Sequence, residues 1–558
     1  MARNLCAVRW AFPLFLGLAG LLLFYPALRS PFVLDDYLQA SMAHGVYPVP
    51  RKAWDLYNFI DLNDANVLKD RGFLPWWSDA SLRIRFLRPL PSLLLWMEYK
   101  LGAGATLMHL HSLLWWALGA FAAWRLYVDH LSARASRLAV LMFALAPFQV
   151  VPIAWLANRE ALISLALSAW ALRLYMSRGR SSSQTALAFG LACASGEYAL
   201  GIGGYVIAYE CLHYASVRER VVRAWPAALA ALLYLAARSY GAYGSGGSGF
   251  YTDPLHAPLS YLQLAPSRFL KLMLEAWLSL DGEMLKSDVP ILWVVVAIGA
   301  LLLMLWSPLR AVLRSERALA VFLLGSVLCL VPMLAVVPSP RLLGMAMLGI
   351  APLAAALLEQ VWWTLGAAAS HQARFAALLI GFSQLVHGPG TSWLMARSWQ
   401  QAGQSFERFA TELSGDLGDP TAASVTTVRG VAGAFFVPFA LDSQGRPPRS
   451  WRMLSQLGHV LVLRKGEREL ELVAPAGQSL VPNGPGNLFR PVGSPFAVGD
   501  VAHAPGMKVT VLELGAQGIR RARFEFDRID DTHFMVESHA GFKLVQLPDV
   551  GFGKPFEP

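Results

Sequence analysis

Charge is what this sequence lacks most. Asp, Glu, Lys and Arg make up 15% of its 558 residues, where a soluble domain carries roughly 25%. A soluble protein of this length needs a more charged surface to stay dispersed, so the shortage argues against a cytosolic enzyme. Cysteine is scarce too. The four, Cys6, Cys193, Cys211 and Cys329, lie in or beside apolar segments and no pair has metal-ligand spacing. Neither a disulfide framework nor a zinc site is expected. No glycine-rich loop sits between a strand and a helix, and the Gly/Ser stretch at 244–249 is therefore not a phosphate-binding loop. No internal repeat is present.

Apolar residues are abundant instead. They are 55% of the chain, with 19 Trp and 29 Phe, and the mean hydropathy is +0.44. Disordered chains are poor in such residues, so disorder is excluded. The net charge of +10 raises the question of nucleic acid, but the basic residues fall in short clusters between long apolar runs. That is the positive-inside pattern of membrane loops and not a nucleic-acid-binding stripe. No nucleic-acid partner is expected. The chain reads as a polytopic membrane protein.

A spanning helix needs roughly 20 mostly apolar residues. The first candidate runs from Trp10 to Leu28, behind Arg3 and Arg9, and Pro26-Ala27-Leu28 is a poor cleavage site. Ten further spans are expected near 107–128, 138–156, 158–176, 184–198, 199–215, 224–240, 289–306, 318–337, 341–361 and 375–391. With a cytoplasmic N-terminus, Arg134 and Arg137, Arg178 and Arg180, Arg218, Arg220 and Arg223, and Arg310, Arg314 and Arg317 all fall inside. Eleven spans place the C-terminal region outside the cytoplasm. Residues 267–283, with Arg268, Lys271 and Glu275, read as an amphipathic interfacial helix.

Two regions stand outside the apolar array. The first external loop, 29–106, is long and rich in Trp, Arg and Asp, and short helices on the membrane are expected in it. Trp76-Trp77 reads as an interface anchor. The tail changes composition completely. It should hold a helix over 399–414 and a hairpin of 459–463 with 469–473. Strand pairs follow at 507–514 with 521–526 and at 534–538 with 542–547. The expected division is a membrane domain at 1–394 and a mainly β extracytoplasmic domain at 395–558.

Ionisable residues at membrane depth are costly, so each is a functional hypothesis. Here they converge on the external face. Asp35 and Asp36 follow the first span, Arg88 precedes the second, and His109 and His111 lie at its outer end. His109 and His111 point to different helix faces, so at most one reaches a site. Arg159 and Glu160 occupy an external turn, where they either pair with each other or serve a site. Glu197 sits between two apolar spans, where an unpaired carboxylate is penalised. Arg341 opens the tenth span. Asp281, Glu283 and Lys286 read as a solvated edge. A carboxylate can take the proton of an acceptor hydroxyl, and arginine can hold a phosphate as it leaves. A sugar linked to a lipid phosphate brings its anion to this depth.

These residues resemble the GT-C superfamily of polytopic glycosyltransferases, and most of all its protein O-mannosyltransferase group with fused tetratricopeptide repeats. Phe32-Val33-Leu34-Asp35-Asp36 is similar to that family's acidic motif in the first external loop. Arg88-Pro89-Leu90 resembles the Arg-Pro-Leu that closes the loop, and His109-Leu110 the His-Leu at the next span. Ala154-Trp155-Leu156 with Arg159 and Leu162 resembles a Trp-Ile followed by Arg and Leu. Ala194 and Glu197 fall on an Ala-Lys-Glu-like segment, with Gly196 in place of the Lys. The family's His-Pro-x-His is Ala146-Pro147-Phe148-Gln149 here, and no tetratricopeptide pattern follows. The likeness covers roughly 10–215.

The resemblance implies an inverting transfer with Asp35 as base, Asp36 as its partner, and Arg88, Arg159 and Arg341 on the donor phosphate. His109, Glu160 and Glu197 are the other site candidates. The expected donor is a polyprenyl-phosphate sugar and the acceptor a protein, lipid or glycan, at a bacterial inner membrane facing the periplasm. No cofactor is implied. Two adjacent carboxylates can help hold a divalent ion, but no third ligand is evident. The alternatives are a transporter or flippase of lipid-linked sugars, and a non-catalytic sensor or scaffold with an external binding domain.

Overall fold

A computed structural model describes residues 2–177, 181–252, 254, 257–280, 291–430, 432–456, 459–484, 486–538 and 541–556. Arg178 and Arg180 lie outside the described residues, as do Asp281, Glu283 and Lys286. The chain builds a helical body followed by a β-rich C-terminal region. Its apolar residues condense into two cores, one within the helical body and one beneath the tail.

Among the described residues, four helices are long and apolar enough to cross a membrane: Val217–Tyr240, Leu292–Ser315, Arg317–Ala335 and Pro340–Ala368. A fifth results if Ala133–Ala144 and Pro147–Ala154, bent by 47°, form one span. Eleven were expected. Several of the remaining candidates are helical but short: Glu160–Met176 has 17 residues, Ser182–Cys193 has 12 and Gly203–His213 has 11. The helix Ala105–Val128 has the length but carries His109, His111 and Arg125. Apolar side chains cover the outside of the long helices. Leu303 is 79% exposed and Leu232 64%, a surface suited to lipid and poorly suited to water.

The helix Pro258–Leu278 replaces the expected interfacial helix at 267–283, and its polar residues point the other way. Arg268 and Glu275 are buried, and Arg268 Nη1 donates to the Leu334 carbonyl at 2.7 Å. The charges therefore face the protein interior, where a backbone acceptor satisfies the guanidinium.

The first loop, 29–106, folds into the helices Asp35–His44, Ala65–Asp70 and Pro89–Lys100 and two short strands, Asn58–Ile60 and Arg83–Arg85. The Gly/Ser stretch supplies a third strand, Gly244–Gly246, which pairs with Arg83–Arg85. Gly247 turns the chain out of this strand at φ +65°, and a Cβ there would run into the backbone of Ser81 and Leu82.

The tail carries two sheets. The seven-stranded one contains the expected hairpin, Val460–Arg464 against Glu469–Val473. It also contains the pair Met507–Gly515 with Gly518–Phe526. The four-stranded one runs Gly541–Val545, Thr532–Ser538, Ser424–Arg429, Ser450–Met453. Its last three strands are parallel, and Ser424–Arg429 and Ser450–Met453 were not anticipated. Every residue of Ser424–Arg429 is buried, so the strand shows no apolar–polar alternation to read. The expected helix at 399–414 is the C-terminal part of a longer one, Gly388–Asp416, which runs across the 394/395 boundary.

Trp76 and Trp77 are not interface anchors. They are 4% and 1% exposed, and they tie the first loop to the tail. Trp76 packs edge-on to Phe524 at 5.9 Å and donates its Nε1 proton to the Leu454 carbonyl at 3.2 Å. Trp77 meets Phe489 at 6.4 Å. Phe73 stacks on Phe439 at 4.8 Å. Loop and tail thus share one apolar core, because neither offers a complete hydrophobic face alone.

Candidate active site

A cavity of about 390 Å³ opens where the first loop, the helical body and the tail meet. Five of the eight residues singled out in the sequence line it: Asp35, Arg88, Glu160, Glu197 and Arg341. Apolar and aromatic residues complete the wall, among them Tyr57, Trp155, Tyr251 and, from the tail, Phe435, Phe436 and Phe489.

The Asp35 carboxylate begins the helix Asp35–His44, just beyond Leu34, which is held at φ +47°. A branched residue rarely adopts that conformation, and such strain clusters at functional sites. Asp35 is half-buried and makes no side-chain hydrogen bond among the described residues. Burial pushes its pKa up to about 7, against the pull of Arg341 and Arg88 and with help from Glu160. The group is thereby poised to exchange a proton near neutrality.

Asp36 is different. It is fully buried, and its two oxygens accept the backbone N–H groups of Val33 at 3.0 Å and Ala157 at 2.8 Å. It clamps the start of the first loop to the turn that carries Asn158 and Glu160. Among the described residues no group of three or more His, Cys, Asp or Glu side chains is placed to hold a metal ion.

Arg88 is held rather than free. It pairs with Glu160 at 2.9 Å and with both oxygens of Glu197, and its guanidinium lies 4.8 Å from the Tyr57 ring centre. Glu160 accepts in addition from Asn158 Nδ2 at 2.9 Å. The one guanidinium is shared by two carboxylates, so each of these acids has a cationic partner out of water.

Arg341 is the open cation. It lies 5.6 Å above Trp155, which in turn stacks on Trp399 at 5.7 Å and 20°. Among the described residues Arg341 forms no ion pair and no side-chain hydrogen bond, so its donors face the cavity uncommitted. Arg238, near the C-terminal end of Val217–Tyr240, lines the same cavity and likewise has no ion pair among the described residues. The reading of the sequence missed it, although the outer-face position that marked the others applies to it equally.

Arg159 and His109 lie behind the cavity wall. Arg159 is fully buried and spends its donors on Ser112 Oγ at 2.8 Å, the Met108 carbonyl at 2.6 Å and Glu98. His109 Nδ1 is bonded to the Ile153 carbonyl at 2.9 Å. His111 lies against Glu98 at 2.7 Å and accepts from Trp115 Nε1. These contacts fix the N-terminal end of Ala105–Val128 and occupy Arg159 with protein acceptors among the described residues.

No family model and no curated protein matches the chain. Solved structures do resemble it. The structure of ArnT from Cupriavidus metallidurans bound to undecaprenyl phosphate aligns with 79% of this chain and 85% of its own, at 14% identity and a TM-score of 0.42. Its apo state aligns with 81% and 86%, at 13% identity and a TM-score of 0.44. The apo Archaeoglobus fulgidus oligosaccharyltransferase aligns with 79% of this chain and 64% of its own, at 12% identity and a TM-score of 0.44.

Proposed function

We propose that the protein is a membrane glycosyltransferase that moves a sugar from a polyprenyl-phosphate donor to an acceptor hydroxyl at the outer face of the membrane. The observation that carries this reading is the pairing, in one cavity, of an unbonded carboxylate, Asp35, with an unpaired guanidinium, Arg341. Asp35 takes the acceptor proton, and the acceptor oxygen attacks the anomeric carbon. The bond from that carbon to the lipid phosphate breaks, and the departing phosphate is neutralised by Arg341 with Arg238 beside it. Arg88 is fixed by Glu160 and Glu197, whose charges offset its own, and shapes the cavity wall rather than holding the phosphate. Asp36 and Arg159 hold the frame.

The arrangement in the membrane belongs to the same proposal. The N-terminus is cytoplasmic, the eleven segments of 1–394 form the membrane domain, and 395–558 stands outside with the loop 29–106 docked against it. Exposed apolar helix faces and the clustering of arginines between them support this.

The protein in lipid nanodiscs, given polyprenyl-phosphate sugars and candidate acceptors, should transfer sugar, and Asp35→Asn should abolish the transfer. Transbilayer movement of the lipid without any transfer would favour a flippase instead. Normal transfer by Asp35→Asn would remove this residue as the base.

A further inference from the structure

The helical body holds a second cavity, of about 930 Å³, at its other end. The helix Glu160–Met176 runs between the two. Glu160 lines the first cavity, and Arg173, on the last turn of the same helix, lines the second. At 1.5 Å of rise per residue they stand roughly 20 Å apart. Pro340–Ala368 likewise carries Arg341 in the first cavity and Glu359 in the second. Where the first wall is largely aromatic, the second is charged, with Asp129, Arg173, Glu316, Arg317 and Glu359 in it.

Only part of this charge is used within the protein. Asp129 and Arg173 pair at 2.8 Å. Glu359 accepts the Ser132 hydroxyl at 2.7 Å, which takes up a fraction of a carboxylate's acceptor capacity. Glu316 and Arg317 are exposed at the break between two helices and form no ion pair and no side-chain hydrogen bond among the described residues. Burial lowers the pKa of His130 against the pull of Asp129 and Glu316, so that ring stands neutral beside them. His213 gives its Nδ1 proton to the Tyr209 carbonyl at 2.9 Å. The Asp129–Arg173 pair apart, two carboxylates and one guanidinium remain. Such a wall repels a net anion and complements a ligand that carries both signs.

The rim has the features of a membrane surface. Trp170, one helical turn before Arg173, is 38% exposed, and Trp363, beside the lining residue Thr364, is 54% exposed. Each ring has a guanidinium over it, Arg173 at 5.3 Å and Arg134 at 4.7 Å from the ring centre. Trp76 and Trp77 are covered by another part of the chain, whereas these rings stay exposed. Exposed tryptophan at the ends of apolar helices marks the level of lipid head groups. A phospholipid whose head carries a primary ammonium bears both signs at that level. Its phosphate suits a guanidinium, and its three N–H groups suit carboxylates, whereas a trimethylammonium has no proton to donate.

We propose that the second cavity is a lipid site for a head group of the phosphatidylethanolamine kind, with the phosphate on Arg317 and the ammonium on Glu316 and Glu359. The site is independent of the first cavity and of sugar transfer. Native mass spectrometry of the full chain in detergent tests it, with dioleoyl phosphatidylethanolamine, phosphatidylglycerol and phosphatidylcholine added in turn. Phosphatidylethanolamine should bind saturably, and the other two about tenfold more weakly or worse. Arg317→Gln should weaken phosphatidylethanolamine by about tenfold. Glu316→Gln combined with Glu359→Gln should weaken it as much and abolish its preference over phosphatidylglycerol. The amide oxygen that replaces a Glu359 oxygen still accepts from Ser132, so the wall keeps its shape. Arg341→Gln, in the first cavity, should leave the affinity unchanged. Glycerophosphoethanolamine, the same head without chains, should bind about tenfold more weakly or worse, since it buries no apolar chain. Equal retention of the three lipids would overturn the proposal, as would equal affinity of wild type and Arg317→Gln. Binding of glycerophosphoethanolamine as tight as that of the lipid would do the same, because the ligand would then be a soluble molecule.

Discussion

Gly196 leaves open the space that the Arg88 side chain occupies. A Cβ on Gly196 would stand 2.9 Å from Arg88 Cγ, and the glycine is held at φ +128°, where side chains are rarely accommodated. The bare backbone lets Arg88 lie across it and reach Glu197 one residue further on. Gly196→Ala should therefore cost about 1–3 kcal/mol from strain alone and displace the guanidinium. Sugar transfer should fall about tenfold or more, since small misplacements in a site are costly. Gly196→Lys, which restores the residue of the resembled family, should be worse than alanine. Thermal midpoints and turnover measured on the two variants check this, and full activity in Gly196→Lys would show that Arg88 does not need the gap.

Transfer should depend on pH through Asp35. Burial raises its pKa to about 7, so the carboxylate is protonated below that value and cannot accept the acceptor proton. The rate should rise with pH and level off above about 7, with tenfold loss per unit on the acid limb. A pH–rate profile at saturating donor reads this directly. In Asp35→Asn the residual rate should lose that limb. A flat profile in the wild type between pH 5 and 8 would contradict the assignment of Asp35 as base.

The two arginines at 341 and 159 should respond oppositely to substitution. Arg341 has no ion pair among the described residues, so Arg341→Gln should hardly change the thermal midpoint. Its effect should appear as weaker donor use, with about tenfold or more lost in kcat/KM. Arg159 is bonded to Ser112, Met108 and Glu98. Arg159→Ala should destabilise by about 3–5 kcal/mol, since it strands the Glu98 charge. Thermal unfolding beside steady-state kinetics separates the two cases. If Arg159→Ala unfolded normally and only the donor KM rose, Arg159 would be a phosphate ligand after all.

The cluster was legible because charge is so scarce that each remaining Asp, Glu and Arg carried information. What the chain could not reveal was which members face the cavity. Asp36 and Asp35 are adjacent and alike in sequence, yet Asp36 is consumed by a backbone N–H 121 residues away. Arg159 is likewise bound to Glu98, 61 residues distant, and nothing local announces either partner. Arg238 was not among the residues singled out. The hairpins of the tail were readable from alternation, whereas Ser424–Arg429 was not, being buried on both faces. Apolarity likewise identified Trp76-Trp77 as membrane-seeking, because sequence does not distinguish a tryptophan facing lipid from one facing another domain.

Those tryptophans give the last prediction. Trp76 is buried between the loop and the tail, against Phe496, Phe524 and the Leu454 carbonyl. Trp76→Ala should cost about 3–5 kcal/mol, concentrated in the contact between the two regions and not in the helical body. Because Phe435, Phe436 and Phe489 of the tail line the same cavity as Asp35, loosening this contact opens one wall of the site. Transfer should therefore fall even where the helices remain intact. Limited proteolysis should cut Trp76→Ala within 29–106 and the tail before it cuts the helical body. Hydrogen exchange should show the same order, with the second core losing protection first. Uniform loss of protection across both cores would mean that loop and tail are not a separate cooperative unit.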